Sequence, residues 1–297
     1  MTAEDRYTTP AAFRRALTDR LKQAAKESRW SFQQLQRQVA YDRLLERLYF
    51  VHDGWIVKGA TALLARDLGM RGSLDVDVFL PIAREAAETD LRRATAMDIG
   101  DWFRFDVGPG SAIAGHAVRI AVTATIGATT WVAFHVDLVG SDLRMIGQPE
   151  DVPPLARGII PEVSQRGYKA YPLVDHVADK VAAMYERHGD SHVPSTRYRD
   201  LVDLVAIASG ASVPAPLQRQ ALLSEFERRG LAEPERFDVP DRALWERGYP
   251  AEARRSLFSI GQTLDEALAV VRAFVDPLLA NAAVGTWDRQ LHQWVES

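Results

Sequence analysis

RGSLDVDVFL, residues 71–80, has the composition of a buried strand but carries two aspartates, Asp75 and Asp77. Residues i and i+2 of a strand point to the same face, so the two aspartates share one face. The apolar residues share the other face: Leu74, Val76, Val78 and Leu80. Two charges about 6 Å apart repel by roughly 3 kcal/mol at an effective dielectric of about 20. The segment therefore predicts a strand that packs its apolar face on helices and turns its acidic face, with a bound cation, into a cleft.

A hard cation such as Mg²⁺ or Mn²⁺ suits carboxylate oxygens and keeps coordination positions for phosphate. Two-metal phosphoryl-transfer sites need a further carboxylate. The strand-like segment FHVDLV supplies Asp137, its only carboxylate. We predict that Asp75, Asp77 and Asp137 bind metal. The alternatives are a salt bridge to Arg71 or Lys58, or a strand end exposed to solvent.

Composition sets limits on the class of protein. The 297 residues are 47% hydrophobic and 26% charged, which is typical of a soluble globular protein with a sizeable core. A net charge of −4 means that any nucleic-acid contact needs locally concentrated basic groups. The absence of cysteine excludes disulfides, thiolate metal sites and cysteine nucleophiles. The N-terminus MTAEDRYTTPAAFRRAL lacks a secretory signal and no apolar run could span a membrane, so we expect a cytoplasmic protein.

The order of elements predicts three regions: a helical lead-in (1–48), an α/β core (49–170) and a helical C-terminal domain (171–297). The core includes the strand candidates WFRFDVG, HAVRIAVTATIG and TWVAFHVDLVG, then a Pro- and Gly-rich connector with one or two short strands. The C-terminal helical segments are LVDHVADKVAAMYERH, RYRDLVDLVAIAS, LQRQALLSEFERRG, AEARRSLFS and TLDEALAVVRAFVDPLLANA. This layout predicts an α+β fold, a mixed sheet flanked by helices and followed by an all-helical domain.

The stretch VKGATALLARDLGMRGSLDVDVFL resembles the signature of the nucleotidyltransferase superfamily with a DNA polymerase β-like fold. In that signature a Gly-Gly or Gly-Ser turn opens a helix and an Asp-x-Asp strand follows. Lys-Gly-x-x-Ala-Leu followed by Arg-x-Ser-x-Asp-x-Asp is similar to one branch, the AbiEii/AbiGii-type toxins. DKVAAMYER and RYRDLVDL resemble that branch's lysine helix and its Arg-x-(Lys/Arg)-Asp-x-x-Asp-Leu helix. One position departs: Ala60 stands where the family usually has Gly or Ser, so Ser73 becomes the candidate for a hydroxyl near phosphate.

The resemblance implies a nucleotidyltransferase-type sheet and a toxin of a bacterial toxin–antitoxin pair. Such enzymes transfer a nucleotide from an NTP with the help of Mg²⁺, and some members act on the 3′ end of tRNA and block translation. The expected partners are therefore NTP, tRNA and a cognate antitoxin, for a monomeric enzyme. Two alternatives stay open: transfer to a small molecule such as an antibiotic, or a non-catalytic interaction protein on the same fold.

Charge develops on phosphate oxygens during nucleotide transfer, so metal ions and fixed cations carry most of the catalysis. Lys58 and the Gly59 turn would bind phosphate, the turn through N–H groups at a helix start. Ser73 would donate to a phosphate oxygen, and its phosphorylation would inhibit by repelling the triphosphate. Asp137 would complete a second metal site or activate the substrate hydroxyl. The alternative for Gly59 and Ser73 is that they are only turn residues.

Two C-terminal helices carry the other candidates. Lys180 lies beside an apolar stripe and could reach the triphosphate as a point charge, or be a surface lysine. Asp200 or Asp203 would orient Lys180 or the nucleotide, while Arg197 and Arg199 would face phosphates. The alternative is a set of ordinary ion pairs along the helix.

Residues 157–199 hold seven basic side chains. Four tyrosines are interleaved and are candidates for stacking on RNA bases or for the core: Tyr168, Tyr171, Tyr185 and Tyr198.

Overall fold

The structure is a computed structural model that describes residues 6–68, 71–113, 117–140, 143–161, 163, 165–189, 192–257 and 259–296. The chain divides into two compact units. Unit 1 holds the described residues within Met1–Arg66, Gly72–Leu143 and Pro149–Ala170. Unit 2 holds those within Asp67–Arg71, Arg144–Gln148 and Tyr171–Ser297. The N-terminal helices therefore belong to the same unit as the sheet.

Unit 1 contains the helices α1 (Pro10–Glu27), α2 (Phe32–Val51), α3 (Gly59–Ala65) and α4 (Arg84–Thr95). The Thr9 side chain accepts a hydrogen bond from the Ala12 N–H at 3.2 Å and caps α1. Ser31 and Gln34 form a capping box that opens α2. These caps divide the helical lead-in into two helices.

One seven-stranded mixed sheet forms the centre of unit 1. Its strands are β1 (Ile56–Lys58), β2 (Asp75–Phe79), β3 (Phe103–Ala112), β4 (Val118–Ile126), β5 (Thr129–Val139), β6 (Glu150–Val152) and β7 (Tyr168–Ala170). The order across the sheet is β3-β4-β5-β2-β1-β7-β6, with β2 parallel to β5 and β1 parallel to β7. The other neighbours are antiparallel. The predicted mixed sheet flanked by helices is confirmed.

The apolar face of β2 is buried as its alternation predicts, with Val76 and Val78 fully inaccessible to solvent. Leu74 is an exception, because 57% of its surface is exposed. The strand begins at Asp75, so Leu74 precedes the pleat and does not share the buried face.

Two buried polar networks attach α2 to other parts of unit 1. Asp101 accepts hydrogen bonds from Arg43 Nε at 2.7 Å and from Arg47 Nη1 and Nη2 at 2.8 and 2.7 Å. Asp42 accepts hydrogen bonds from the hydroxyl of Tyr168 and from two backbone N–H groups of the connector, at 2.9 and 2.8 Å. Burial raises the pKa of Asp42 to about 6, although these hydrogen bonds oppose the rise.

Unit 2 is mainly helical. Its helices are α5 (Leu173–Tyr185), α6 (Tyr198–Gly210), α7 (Ala215–Arg229), α8 (Arg242–Ala253) and α9 (Leu264–Leu279). It also contains two antiparallel strand pairs, β8 (Arg187–His188) with β9 (Val193–Pro194), and β10 (Thr286–Asp288) with β11 (Gln293–Val295). The expectation of an all-helical domain is therefore corrected.

The segment AEARRSLFS was predicted to be helical, but α8 ends at Ala253 and covers only its first residues. Among the helices that the structure describes, none has the length and apolarity needed to cross a membrane.

Candidate active site

A row of charged side chains crosses four neighbouring strands of unit 1. Arg119 of β4 lies directly opposite Asp137 of β5, and Asp137 lies opposite Asp77 of β2. Asp77 in turn lies opposite Lys58 of β1. Register partners in a sheet point to the same face, so this row brings two carboxylates together between two cations. We call Asp75, Asp77 and Asp137 the acidic face.

Arg119 binds Asp137 through two parallel hydrogen bonds. Its Nε donates to Oδ1 at 2.8 Å and its Nη2 donates to Oδ2 at 2.7 Å. The same Nη2 lies 3.8 Å from Oδ2 of Asp75. The hydrogen bond to Asp137, with the other carboxylates, raises the pKa of the guanidinium above its ordinary value. Arg119 is therefore a permanent cation that contacts two of the three aspartates.

Asp75 has a second partner on the neighbouring strand. His135 is its register partner on β5, and His135 Nδ1 lies 3.2 Å from Asp75 Oδ1. The side chain of Asp75 is 33% exposed and that of His135 is 48% exposed. The acidic face is therefore open to solvent at Asp75, where a ligand could reach it.

The turn before α3 is shaped to hold Asp77. Gly59 has a φ of +57°, a conformation that favours glycine. A Cβ on Gly59 would overlap Oδ2 of Asp77 and would lie only 2.6 Å from its Cγ. The absence of a side chain at Gly59 thus makes room for the Asp77 carboxylate. Whether the turn and Lys58 also contact phosphate stays a prediction.

Ser73 is nearly buried, and its hydroxyl donates to the backbone carbonyl of Asp75 at 2.6 Å. Thr61 of α3 donates to the same carbonyl at 3.1 Å. The two hydroxyls together fix the start of β2. This contact gives Ser73 a defined place beside the acidic face, and its contact with phosphate stays a prediction.

The oxygens of Asp75 and Asp77 are the donors that Mg²⁺ or Mn²⁺ prefers, and they share one face beside the space that Gly59 leaves. These two residues therefore fit a metal ion whose remaining positions go to phosphate and water. Asp137 lies opposite Asp77 in the sheet and is paired with Arg119, and its role as a metal ligand stays a prediction. In the described part of the chain, no three His, Asp or Glu side chains are close enough to hold one ion. Each oxygen of Asp137 accepts a hydrogen bond from Arg119.

A second charged cluster lies within unit 2. Lys180 of α5 is buried and donates from Nζ to Asp200 Oδ1 at 2.9 Å and to Asp203 Oδ2 at 2.6 Å, both on α6. Burial opposes the charge on Lys180, but the two aspartates outweigh it and raise its pKa. Arg197 binds the other oxygen of Asp200 at 3.0 Å. Arg71 lies 3.3 Å from Asp203 Oδ2.

The sequence left open which of the two aspartates interacts with Lys180, and the structure shows that both do. Burial opposes ionisation of Asp200, yet Lys180 and Arg197 lower its pKa below the ordinary value. Asp203 Oδ1 is buried and has no hydrogen-bond partner among the described residues. Such an oxygen in a native protein usually accepts from water or a ligand.

Several predicted RNA contacts have other partners. Arg199 is half exposed and binds Glu252 at 3.1 Å. Two of the tyrosines, Tyr168 and Tyr171, are buried in the protein core. The other two pack on neighbouring aromatic rings: Tyr185 on Phe226 and Phe237, and Tyr198 on Trp245. Tyr168 and Tyr171 therefore belong to the core, and stacking of the partly buried Tyr185 and Tyr198 on RNA bases stays a prediction.

Arg119 and His135 were not predicted to be site residues from the sequence. Each alternates with apolar residues in a strand, as any solvated side chain would, so alternation alone gave no reason to single them out. The available signal was the pairing of strand HAVRIAV with strand FHVDLV, which sets Arg119 opposite Asp137.

Comparison with known proteins shows which family the chain matches. The model of the nucleotidyl transferase AbiEii toxin family, type IV toxin–antitoxin system, matches residues 43–274. Among solved structures, MenT4, a nucleotidyltransferase toxin from Mycobacterium tuberculosis, matches with a TM-score of 0.53 and 18% identity, over 89% of this chain and 98% of that chain. JHP933 from Helicobacter pylori matches with a TM-score of 0.47 and 14% identity, over 83% and 93%. No curated protein matches the sequence significantly. The likeness to MenT4 shows a shared fold.

Proposed function

This chain belongs to the AbiEii family of nucleotidyltransferase toxins of type IV toxin–antitoxin systems, and we propose that it uses a divalent metal ion to transfer a nucleotide from an NTP to the 3′ end of tRNA. The observation that carries the catalytic part is the pair Asp75 and Asp77 on one face of a sheet, next to Arg119. The family supplies the toxin activity and implies a cognate antitoxin. We further propose that the enzyme acts as a monomer in the cytoplasm, where tRNA and NTPs occur together.

In the proposed reaction a ribose hydroxyl attacks the α-phosphate of the NTP and gives up its proton to water, while the bond to the leaving pyrophosphate breaks. A bound Mg²⁺ supplies positive charge to the phosphate oxygens. Asp75 and Asp77 would hold that ion, and Gly59 keeps the Asp77 carboxylate in its place. Arg119 contributes a further fixed positive charge beside Asp75.

We also propose that the buried cluster of Lys180, Asp200 and Asp203 is needed for nucleotide transfer. Its support is the resemblance of both helices to the motifs of this toxin branch, together with two features of the structure. The lysine is held charged by two carboxylates, and Asp203 Oδ1 still has an acceptor position. Arg197 belongs to the same cluster through Asp200.

The choice of tRNA rests on the resemblance to a branch in which some members act on the 3′ end of tRNA. A direct experiment incubates the purified chain with total tRNA, Mg²⁺ and each α-labelled NTP in turn. We expect label to enter tRNA with at least one NTP. Periodate treatment of the tRNA, which destroys the terminal ribose diol, should abolish labelling if the 3′ end is the acceptor.

Variants connect this activity to the acidic face. Asp75→Asn and Asp77→Asn should each reduce labelling by about 10²-fold or more, on the scale of lost metal or transition-state contacts. Asp106→Asn is the matched control, because Asp106 is an exposed carboxylate on β3 of the same sheet. If no NTP labels RNA and Asp75→Asn still arrests growth, the proposal is wrong. Turnover that requires a small hydroxylated acceptor in place of RNA would support the small-molecule alternative.

A further inference from the structure

Asp137 is paired with the guanidinium of Arg119, which competes with any metal ion for the same carboxylate. Resting on the proposed function, we propose that Arg119, held in place by Asp137, stands where a second metal ion would be needed. Unit 1 would then bind one metal ion, on Asp75 and Asp77. Asp137 would act as a positioning residue for Arg119.

The oxygen donors of Asp137 are already paired. Both oxygens of Asp137 accept hydrogen bonds from Arg119, at 2.8 and 2.7 Å. Only 14% of the Asp137 side chain is exposed. A second Mg²⁺ would need near-octahedral oxygen ligands, and it would have to compete with the guanidinium of Arg119 for the Asp137 carboxylate. The described residues also contain no group of three acidic or histidine ligands around one point.

The register of the sheet holds Arg119 in place. Arg119 and Asp137 are direct cross-strand partners in the antiparallel pair β4 and β5. The hydrogen-bonded pairing of β4 and β5 therefore places the two side chains opposite each other, and the ion pair does not depend on a flexible loop. Bidentate pairing also fixes the orientation of the planar guanidinium. This arrangement presents a cation at a constant position beside Asp75, as a bound metal ion would.

Arg119 keeps further N–H donors for a ligand. A guanidinium has five N–H donors in a fixed plane, and the two hydrogen bonds to Asp137 use only part of them. The side chain of Arg119 is 41% exposed, so the remaining donors are open to a ligand. Phosphate oxygens match this geometry, and the charge that develops during nucleotidyl transfer lies on those oxygens. Arg119 can thus neutralise the charge that a second metal ion would otherwise neutralise.

Mn²⁺ serves as the probe in a test that needs no RNA. Electron paramagnetic resonance and calorimetry count the Mn²⁺ ions bound by the full chain with each α,β-methylene NTP analogue present. We expect one Mn²⁺ per chain for the unaltered protein. We expect Arg119→Gln to free the Asp137 carboxylate and to open a second, weaker Mn²⁺ site. Two Mn²⁺ ions on the unaltered protein, one of them lost in Asp137→Asn, would overturn the proposal.

Kinetics supply a second readout for the role of Asp137. Arg119→Gln should lower kcat by about 10²-fold, the scale of one fixed transition-state charge, and Arg119→Lys should recover part of this loss. Asp137→Asn should also lower kcat, while the protein still binds one Mn²⁺ ion per chain. The double variant should lose little more than Arg119→Gln alone, because both changes act through one guanidinium. Additive losses would contradict the positioning role.

Controls separate this proposal from the proposed function. Arg104→Gln removes a half-exposed arginine of β3 that pairs with Asp98, and it should change neither the Mn²⁺ count nor kcat. Thermal unfolding of each variant shows whether it is folded. If the unaltered protein binds one Mn²⁺ but labels no RNA, the proposed acceptor fails and the single-metal site stands. If it labels RNA and binds two Mn²⁺, only the present inference fails.

Discussion

Replacing Gly59 with alanine tests whether the turn before α3 exists to hold Asp77. The new Cβ would overlap Oδ2 of Asp77, lie 2.6 Å from its Cγ and 3.1 Å from its Cβ. The Asp77 side chain must therefore leave its present position. Because Asp77 is a proposed metal ligand, Gly59→Ala should impair Mg²⁺-dependent transfer as severely as Asp77→Asn does.

The expected loss of stability has two parts. A non-glycine residue at a φ of +57° costs about 1–2 kcal/mol. Moving Asp77 into a strained rotamer costs about 1 kcal/mol more. The sum is about 2–3 kcal/mol in the free energy of unfolding. Gly158 provides the control, because its φ is +76° and nothing lies within 4 Å of a Cβ built on it. Gly158→Ala should therefore lose only the stability that a non-glycine residue costs at a positive φ, about 1–2 kcal/mol.

Urea denaturation of a double-mutant cycle isolates the contact between the two residues. In the Asp77→Ala background most of the overlap is gone, so Gly59→Ala should cost about 1 kcal/mol less than in the unaltered protein. An equal cost in both backgrounds would show that the backbone, and not the carboxylate, requires glycine. A Gly59→Ala protein with normal stability and normal transfer would refute the reasoning as a whole.

Four further outcomes are expected. Lys180→Met leaves two buried aspartates without their shared cation and should cost about 3 kcal/mol or more in urea denaturation. Asp101→Asn weakens a buried carboxylate that accepts hydrogen bonds from two arginines, and should cost a similar 3–5 kcal/mol in the same assay. The pKa of Asp42 is raised to about 6, so its stabilising contribution is complete below about pH 4 and is lost as pH rises through 6. The stability of the unaltered protein relative to Asp42→Asn should therefore fall by about 3 kcal/mol between pH 4 and pH 7 in urea titrations. Removal of divalent metal with EDTA should stop transfer while Tm changes by no more than about 2 °C, measured by calorimetry, and a large drop would show a structural metal.

The local features of the fold could be predicted from short patterns. The alternation in RGSLDVDVFL predicts which side chains of β2 are buried, and it fails only at Leu74, which lies outside the strand. The turn at Gly59 also follows from the sequence, because a strand there runs directly into a helix. These features depend on neighbours in the chain, and hydrophobic periodicity reports them well.

Contacts between distant segments could not be predicted in the same way. The sequence of a single strand does not determine its register with the neighbouring strand. The pairing of Arg119 with Asp137 therefore cannot be predicted until the alignment of β4 and β5 is known. The burial of Lys180 could not be predicted either, because helical periodicity places this residue at the border of the apolar stripe. Its two aspartates on α6 make that burial tolerable, and they stand 20 and 23 residues further along the chain.

The order of charges across the sheet predicts that the acidic face does not need a metal ion for folding. The two carboxylates that meet in register, Asp137 and Asp77, lie between Arg119 on one side and Lys58 on the other. Each carboxylate therefore has a cation as its outer register partner, and the repulsion that the aspartates of β2 suggested is offset by the protein itself. Asp75 is more exposed than Asp137, and it lies close to His135 and, at a longer distance, to Arg119. The charge left to a ligand is thus concentrated at Asp75, beside Asp77, where one divalent ion would be enough to balance it.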